Sequence, residues 1–182
     1  ATMSITGATA GMNNYRYQVV ITGTCAPAVT SNAVVLTVNT APSITTQPSA
    51  QAICSGSNTT FGVAASGSGL TYKWQVSTNG GVSFSDLSDS GVYSNTTTAT
   101  MSITGATAGM NNYRYRAVVN GTCSPLATSN AVVLTVNPIP TTPSITKNTD
   151  VSCGSFGSIT LTGLSGNWTI NQTGGMGPRS FN

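Results

Sequence analysis

The first 39 residues of this chain return 98 positions later without a gap: ATMSITGATAGMNNYRYQ at Ala1 becomes ATMSITGATAGMNNYRYR at Ala99, and TSNAVVLTVN at Thr30 recurs at Thr128. A fixed period of that size means tandem units of about one hundred residues, each large enough to fold as a domain. The period divides the 182 residues into the closing part of one unit (1–39), a complete unit (40–137) and the opening part of a further module (138–182). This predicts a window on a longer repeat protein whose role is that of the array.

The complete unit reads as short strands with turn punctuation and no helical period. Pro42 to Gln51 is expected as an edge strand, because Pro48 is tolerated only at an edge or a break. Thr59–Ala65 puts Phe61 and Val63 on one face, and Leu70–Ser77 does the same with Tyr72, Trp74 and Val76. Asn79-Gly80 and Asn120-Gly121 are hairpin signals. Val82–Leu87, Met101-x-Ile103, Asn111–Val119 and Ala131–Val136 supply further strands, with Val133 expected in the core. Strands at this spacing predict an all-β, antiparallel two-sheet sandwich. Residues 1–39 carry only the last three strands of such a sandwich, and half a sandwich is expected to need partner strands for order. Mean hydropathy near zero argues against disorder. No apolar run approaches the length of a membrane-spanning helix.

Charged residues make up 5% of the chain, against a typical quarter, so polar positions fall to Thr, Ser, Asn and Gly. There is no His and no Glu, and the carboxylates are Asp86, Asp89 and Asp150. General acid–base catalysis needs a tuned His, Glu, Asp, Lys, Tyr or Cys. With no Ser/His/Asp set, metal-ligand cluster or phosphate loop, the expectation is a non-enzyme with no cofactor and no metal site. Asp86 and Asp89 share the loop SDLSDSG. Two carboxylates are few for a calcium ion, so a turn in which Asp and Ser bond their own backbone is expected. Arg114 and Arg116 alternate with Tyr113 and Tyr115, which reads as a solvated strand face with arginine stems over rings. Nucleic acid would need a much denser basic patch. Phe84 and Tyr93, if exposed together, would form a sugar-stacking platform, whereas the alternation Val82-x-Phe84 expects those two inside and Tyr93 alone.

These residues resemble a known fold family. Trp74 sits where an immunoglobulin-like domain places its core tryptophan, Met101-x-Ile103 followed by Asn111-x-Tyr113-x-Tyr115-x-Ala117 resembles that fold's fifth and sixth strands, and Tyr115 matches the tyrosine-corner residue. Val63 and Ala117 fall where an antibody domain carries its two core cysteines. The core signature implied is Val63, Trp74, Ile103 and Tyr115, in tandem immunoglobulin-like β-sandwiches. The wording PSITTQPSAQAICSGSNTTFGVAASGSGLTYKWQVSTNGGVSF, then GATAGMNNYRYRAVVNGTC, resembles the repeats of very large Bacteroidetes surface adhesins. The SprB-type gliding-motility adhesins exported by type IX secretion are the named group. The tail DVSCGSFGSITLTGLSGNWTINQTGG resembles the opening of a different sandwich module of such proteins.

The four cysteines are disulfide candidates, since regular cysteines in an export-like chain suit an oxidising compartment. Cys25 and Cys123 are the same position in successive repeats, and Cys54 and Cys153 each precede a Gly/Ser turn. The immunoglobulin-like topology implies that Cys54 and Cys123 lie at opposite poles, roughly 30 Å apart. A disulfide needs Cα atoms within about 7 Å. An interdomain bridge to a neighbouring repeat is therefore favoured, with the bridge between Cys54 and Cys123 as the alternative. The resemblance implies a structural and adhesive segment of a surface filament, outside a Gram-negative cell and attached to its outer membrane. Its partners would be neighbouring repeats, other copies and surface polysaccharide, without nucleic acid. The alternative is a carbohydrate-binding accessory module of a secreted polysaccharide-degrading enzyme.

Overall fold

Alternating residues become strands in this chain only where a partner strand takes up their hydrogen bonds. The structure, a computed structural model, describes residues 2–149, 158–163 and 169. It comprises two units, Ala1–Asn137 and Pro138–Asn182. The first repeat forms β1 (Arg16–Tyr17), β2 (Val20–Ile21), β3 (Val29–Thr30) and β4 (Val34–Val35). β1 pairs with β4 and β2 with β3. Thr2 to Ile5 forms no strand, although the same residues at Thr100–Ile103 do.

The complete repeat is an immunoglobulin-like β-sandwich. Its strands are β5 (Ser43–Thr46), β6 (Gln51–Cys54), β7 (Thr59–Gly62), β8 (Ala64–Ser66), β9 (Thr71–Ser77), β10 (Ser85–Asp86), β11 (Tyr93–Ser94), β12 (Thr100–Ile103), β13 (Arg114–Asn120), β14 (Ala127–Thr128) and β15 (Val132–Asn137). One layer runs β10-β9-β13-β15-β6, with β14 also on β13. The other holds β11-β12-β7, and β8, separated from β7 by Val63 alone, pairs with β5. The expected edge strand from Pro42 to Gln51 is thus two strands. β5 pairs antiparallel with β8, the chain breaks around Pro48, and β6 crosses to pair in parallel with β15. A proline cannot donate to a ladder, which is why the switch falls there.

The inward residues of the two layers meet at Trp74, which is 0% exposed. Its indole N–H donates to the Thr98 carbonyl at 2.9 Å. Phe61 of the opposite layer lies 6.4 Å from the Trp74 ring and stacks on Tyr115 at 4.9 Å, centroid to centroid. In register, Trp74 is opposite Ala117, so the largest core side chain faces a small one across β9 and β13. Val63, Met101, Ile103, Leu134 and Val136 complete the core. Two expectations are corrected. Leu134 and Val136 point inward and Val133 is only half-buried, because Val133 is in register with the outward Arg114. Val82 is 86% exposed rather than inside, since only Ser85–Asp86 of the expected strand pairs with β9.

In the second unit, β16 (Ser144–Thr149) pairs antiparallel with β17 (Ser158–Thr162). Its register pairs Ser144 with Thr162 and Ile145 with Leu161.

Removing the residue that joins the layers tests this core. Trp74→Ala should lower unfolding free energy by about 3–5 kcal/mol, the range for deleting a buried aromatic. Denaturant unfolding followed by circular dichroism reads it, and a loss below about 1 kcal/mol would contradict the packing described.

Candidate interaction face and domain poles

The outward face of β10, β9 and β13 carries a continuous polar row. Strand register brings Gln75 opposite both Asp86 and Arg116. Lys73 Nζ donates to Asp86 Oδ2 at 2.8 Å, and Gln75 Nε2 donates to Asp86 Oδ1 at 2.7 Å. Arg116 Nε donates to Gln75 Oε1 at 2.8 Å, and the Arg116 guanidinium lies 3.9 Å over the Phe84 ring. The hydrogen bond from Lys73, then that from Gln75, holds the Asp86 carboxyl below its usual pKa. A shallow groove of about 350 Å³ beside this row is lined by Tyr72, Val118 and Leu126 among others. The row satisfies its own polar groups, which suits a solvated face. An exposed ion pair of this kind adds little stability.

Asp89 belongs to a different network from Asp86. Its Oδ1 accepts from the backbone N–H of Thr96 at 2.7 Å and from the Thr96 hydroxyl at 2.6 Å, tying the loop to a buried residue. The Thr96 side chain, then its N–H, lowers the Asp89 pKa. Among the described residues no group of three or more His, Cys, Asp or Glu could hold a metal. Asp150 lies outside the described residues. Phe84 and Tyr93 do not share a surface. Phe84 lies under Arg116, whereas Tyr93 packs against the core from the other layer, its hydroxyl 3.1 Å from that of Tyr115. The sugar-stacking platform is therefore not formed, and neither is the alternative in which Val82 and Phe84 turn inward together.

The cysteines lie at the domain's poles. Cys54 ends β6 in register with Asn137, beside the bend where Gly56 N–H bonds the Ala106 carbonyl. Cys123 lies past the far end of β13, beyond Asn120. Cys25, Cys54 and Cys123 are all free thiols, and Cys153 lies outside the described residues. Val63, Trp74, Ile103 and Tyr115 are in the core.

At the Cys123 pole the incoming chain is clamped, a feature the sequence reading missed. Thr40 N–H donates to Ser68 Oγ, Ser68 N–H to the Thr40 carbonyl, and Thr122 N–H to the Ser68 carbonyl. A Cβ on Gly121 would lie 2.9 Å from Pro42 Cγ and from the Ser68 carbonyl. Gly67, at φ +142°, has the Ala41 carbonyl 3.0 Å from where its Cβ would be. The available signal is Gly67-Ser68-Gly69 together with Gly121 of the Asn120-Gly121 turn.

Residues 43–138 match the domain of unknown function DUF8696, and the chain belongs to that family. No curated protein matches the chain. Similar solved structures include titin M4, at 25% identity over 56% of this chain and 100% of that one, with a TM-score of 0.46. The Ig1-2 module of the Drosophila receptor protein tyrosine phosphatase DLAR is 21% identical over 58% and 55% of the two chains, with a TM-score of 0.43. Sidekick-1 immunoglobulin domains 1–5 are 15% identical over 67% and 25%, with a TM-score of 0.48.

These groups set an expected pH profile. Asp86 and Asp89 have lowered folded pKa values, so their stabilisation is intact above the unfolded value of about 3.9 and lost as pH falls through the lower folded values. Burial raises Tyr93 and, further, Tyr115 above the ordinary phenol value. Their stabilisation is intact below about pH 10 and lost as pH rises past it. Thermal melts should therefore be flat near neutrality, with Tm falling on both flanks and the acid flank shallower in Asp89→Asn. A steep change between about pH 5 and 8, where no histidine is present to titrate, would contradict this.

Proposed function

We propose that this DUF8696 member is a structural, adhesive segment of a long repetitive surface protein, in which domains join end to end and carry tension in series. The observation that supports this reading most is the placement of the two ends of the complete repeat. The chain enters through the Thr40–Pro42 clamp at the Cys123 pole and leaves at Asn137 beside Cys54. Each repeat would then add its full length to an array, and few charges would limit repulsion along it.

The reading extends to the junctions. In such an end-to-end array Cys54 would face the outgoing neighbour and Cys123 the incoming one. A bridge from Cys54 to the neighbour's Cys123-type cysteine would restrain the hinge between domains. Two thiols would lose two protons and pass two electrons to the disulfide of a thiol oxidoreductase. With the resemblance to SprB-type adhesins, the proposed setting is the outer surface of a Gram-negative cell, with export by type IX secretion and a role in attachment or gliding.

Peptide mapping of the non-reduced full-length array tests the junction. It should find Cys54-containing peptides joined to the GTC peptide of an adjacent repeat, and a bond between Cys54 and Cys123 of one repeat would overturn it. Pulling on the reduced chain tests the load-bearing role. Unfolding the complete domain should release about 30 nm, the extended length of one period less its folded length. A force trace with no resisting event would contradict it.

A further inference from the structure

Charge is scarce in this chain, and the complete repeat gathers its cations in one place. Between residues 40 and 137 the basic side chains are Lys73, Arg114 and Arg116. All three stand on the outward face of β9 and β13, opposite the face that carries Trp74, Tyr115 and Ala117 into the core. We propose that this outward face binds a carboxylate-bearing polysaccharide, with acid groups on the arginines and sugar rings in the groove beside Lys73. The proposal rests on the adhesive reading and names the chemistry of what is adhered to.

The face is built from residues 40–137 alone. β9 lies between β10 and β13, and β13 has β9 on one side and β14 and β15 on the other. An extended peptide is captured through the open backbone of a sheet edge. Here the backbones of both central strands are taken up in ladders, so a partner is read by side chains. Along β13 the outward residues are Arg114, Arg116, Val118 and Asn120, about 7 Å apart in turn and spanning about 20 Å. Register sets Gln75 beside Arg116, Lys73 beside Val118 and Thr71 beside Asn120. An extended polymer lying along β13 would therefore meet cations first and the groove next.

The groove has the mixture that a sugar ring presents, C–H groups on its faces and hydroxyls around its rim. Val118 and Leu126, the latter 54% exposed, are its apolar part, while Thr71 and Asn120 offer a hydroxyl and an amide. Its volume of about 350 Å³ falls in the range of small-molecule sites.

The arginines supply the charge. Asp86 neutralises Lys73, but among the described residues no carboxylate pairs with Arg114 or Arg116. The polar row satisfies its inner groups and leaves these cations over. Arg116 is held by its Nε bond to Gln75 and by the Phe84 ring beneath it, which leaves its terminal nitrogens facing outward. Arg114 lies against Gly81, where a Cβ would come within 3.3 Å of its Cδ. A guanidinium fork matches a carboxylate through two parallel hydrogen bonds. Three cations are too few for a nucleic acid. In the first repeat Arg16 matches Arg114 but Gln18 takes the place of Arg116, so Arg116→Gln is a change that the repeat itself carries.

The test uses the full chain, kept reduced, in calorimetric titrations with a galacturonate oligosaccharide and, as the uncharged control, its methyl ester. A Kd below about 1 mM for the acid form is expected, with the ester at least about tenfold weaker. Arg114→Gln/Arg116→Gln should weaken binding at least about tenfold. Leu126→Ala, which leaves the charge unchanged, should weaken it about threefold. Circular dichroism should be the same for all three chains. Pulling on the chain reads the load-bearing role separately, so failure of the site and failure of the array reading are told apart. No binding, equal binding of the methyl ester, or undiminished binding by either variant would overturn the site. Tighter binding of single-stranded DNA than of the galacturonate would overturn it in favour of a general polyanion contact.

Discussion

The sandwich depends on one pairing of sizes: Trp74 in register opposite Ala117, beneath Phe61 of the other layer. A tryptophan fills the space between two sheets only where its cross-strand neighbour is small. Phe61 then reaches Tyr115, and the Tyr115 hydroxyl reaches Tyr93, so one aromatic chain ties β7, β9, β11 and β13 together. Because Trp74 also donates to the Thr98 carbonyl, its polar edge is satisfied inside the core. The poles follow from this arrangement, since the strands it holds in register fix which loops meet at each end.

The internal duplication separates what is local from what is not. Nearly identical sequence gives the same β1–β4 and β2–β3 ladders, the same Asn and Ser side-chain bonds and the same short 3₁₀ turns at Ala10–Met12 and Ala108–Met110. These contacts join residues close in sequence. The strand at Thr100–Ile103 has no counterpart at Thr2–Ile5, because it belongs to the other layer and bonds β7.

This also explains which features could be read from sequence. Alternation exposed the inward sets Phe61 and Val63, Tyr72, Trp74 and Val76, and Met101 and Ile103, because side chains on a strand alternate strictly between faces. Alternation cannot say which of two adjacent apolar residues points inward when a run is apolar throughout. Val133 was therefore misplaced by one position against Leu134. Val82 failed for another reason, as Asn79 bonds Ser77 and Ser83 through its side chain and carries the chain away from β9 before Ser85. The Lys73–Asp86 pair, the Asp89 cap on Thr96 and the Gly121–Pro42 contact all join residues through tertiary proximity, and no spacing in the sequence announces them.

The central claim is that each repeat is a rod with its chain entry and Cys123 at one pole and its exit and Cys54 at the other. Spin labels on native Cys54 and Cys123, in a chain carrying Cys25→Ser and Cys153→Ser, measure this directly by pulsed dipolar spectroscopy. A distance of about 30 Å or more is predicted from strand length. Labels that cannot be attached because the two sulfurs are already bonded, with Cα atoms about 6 Å apart, would contradict the account.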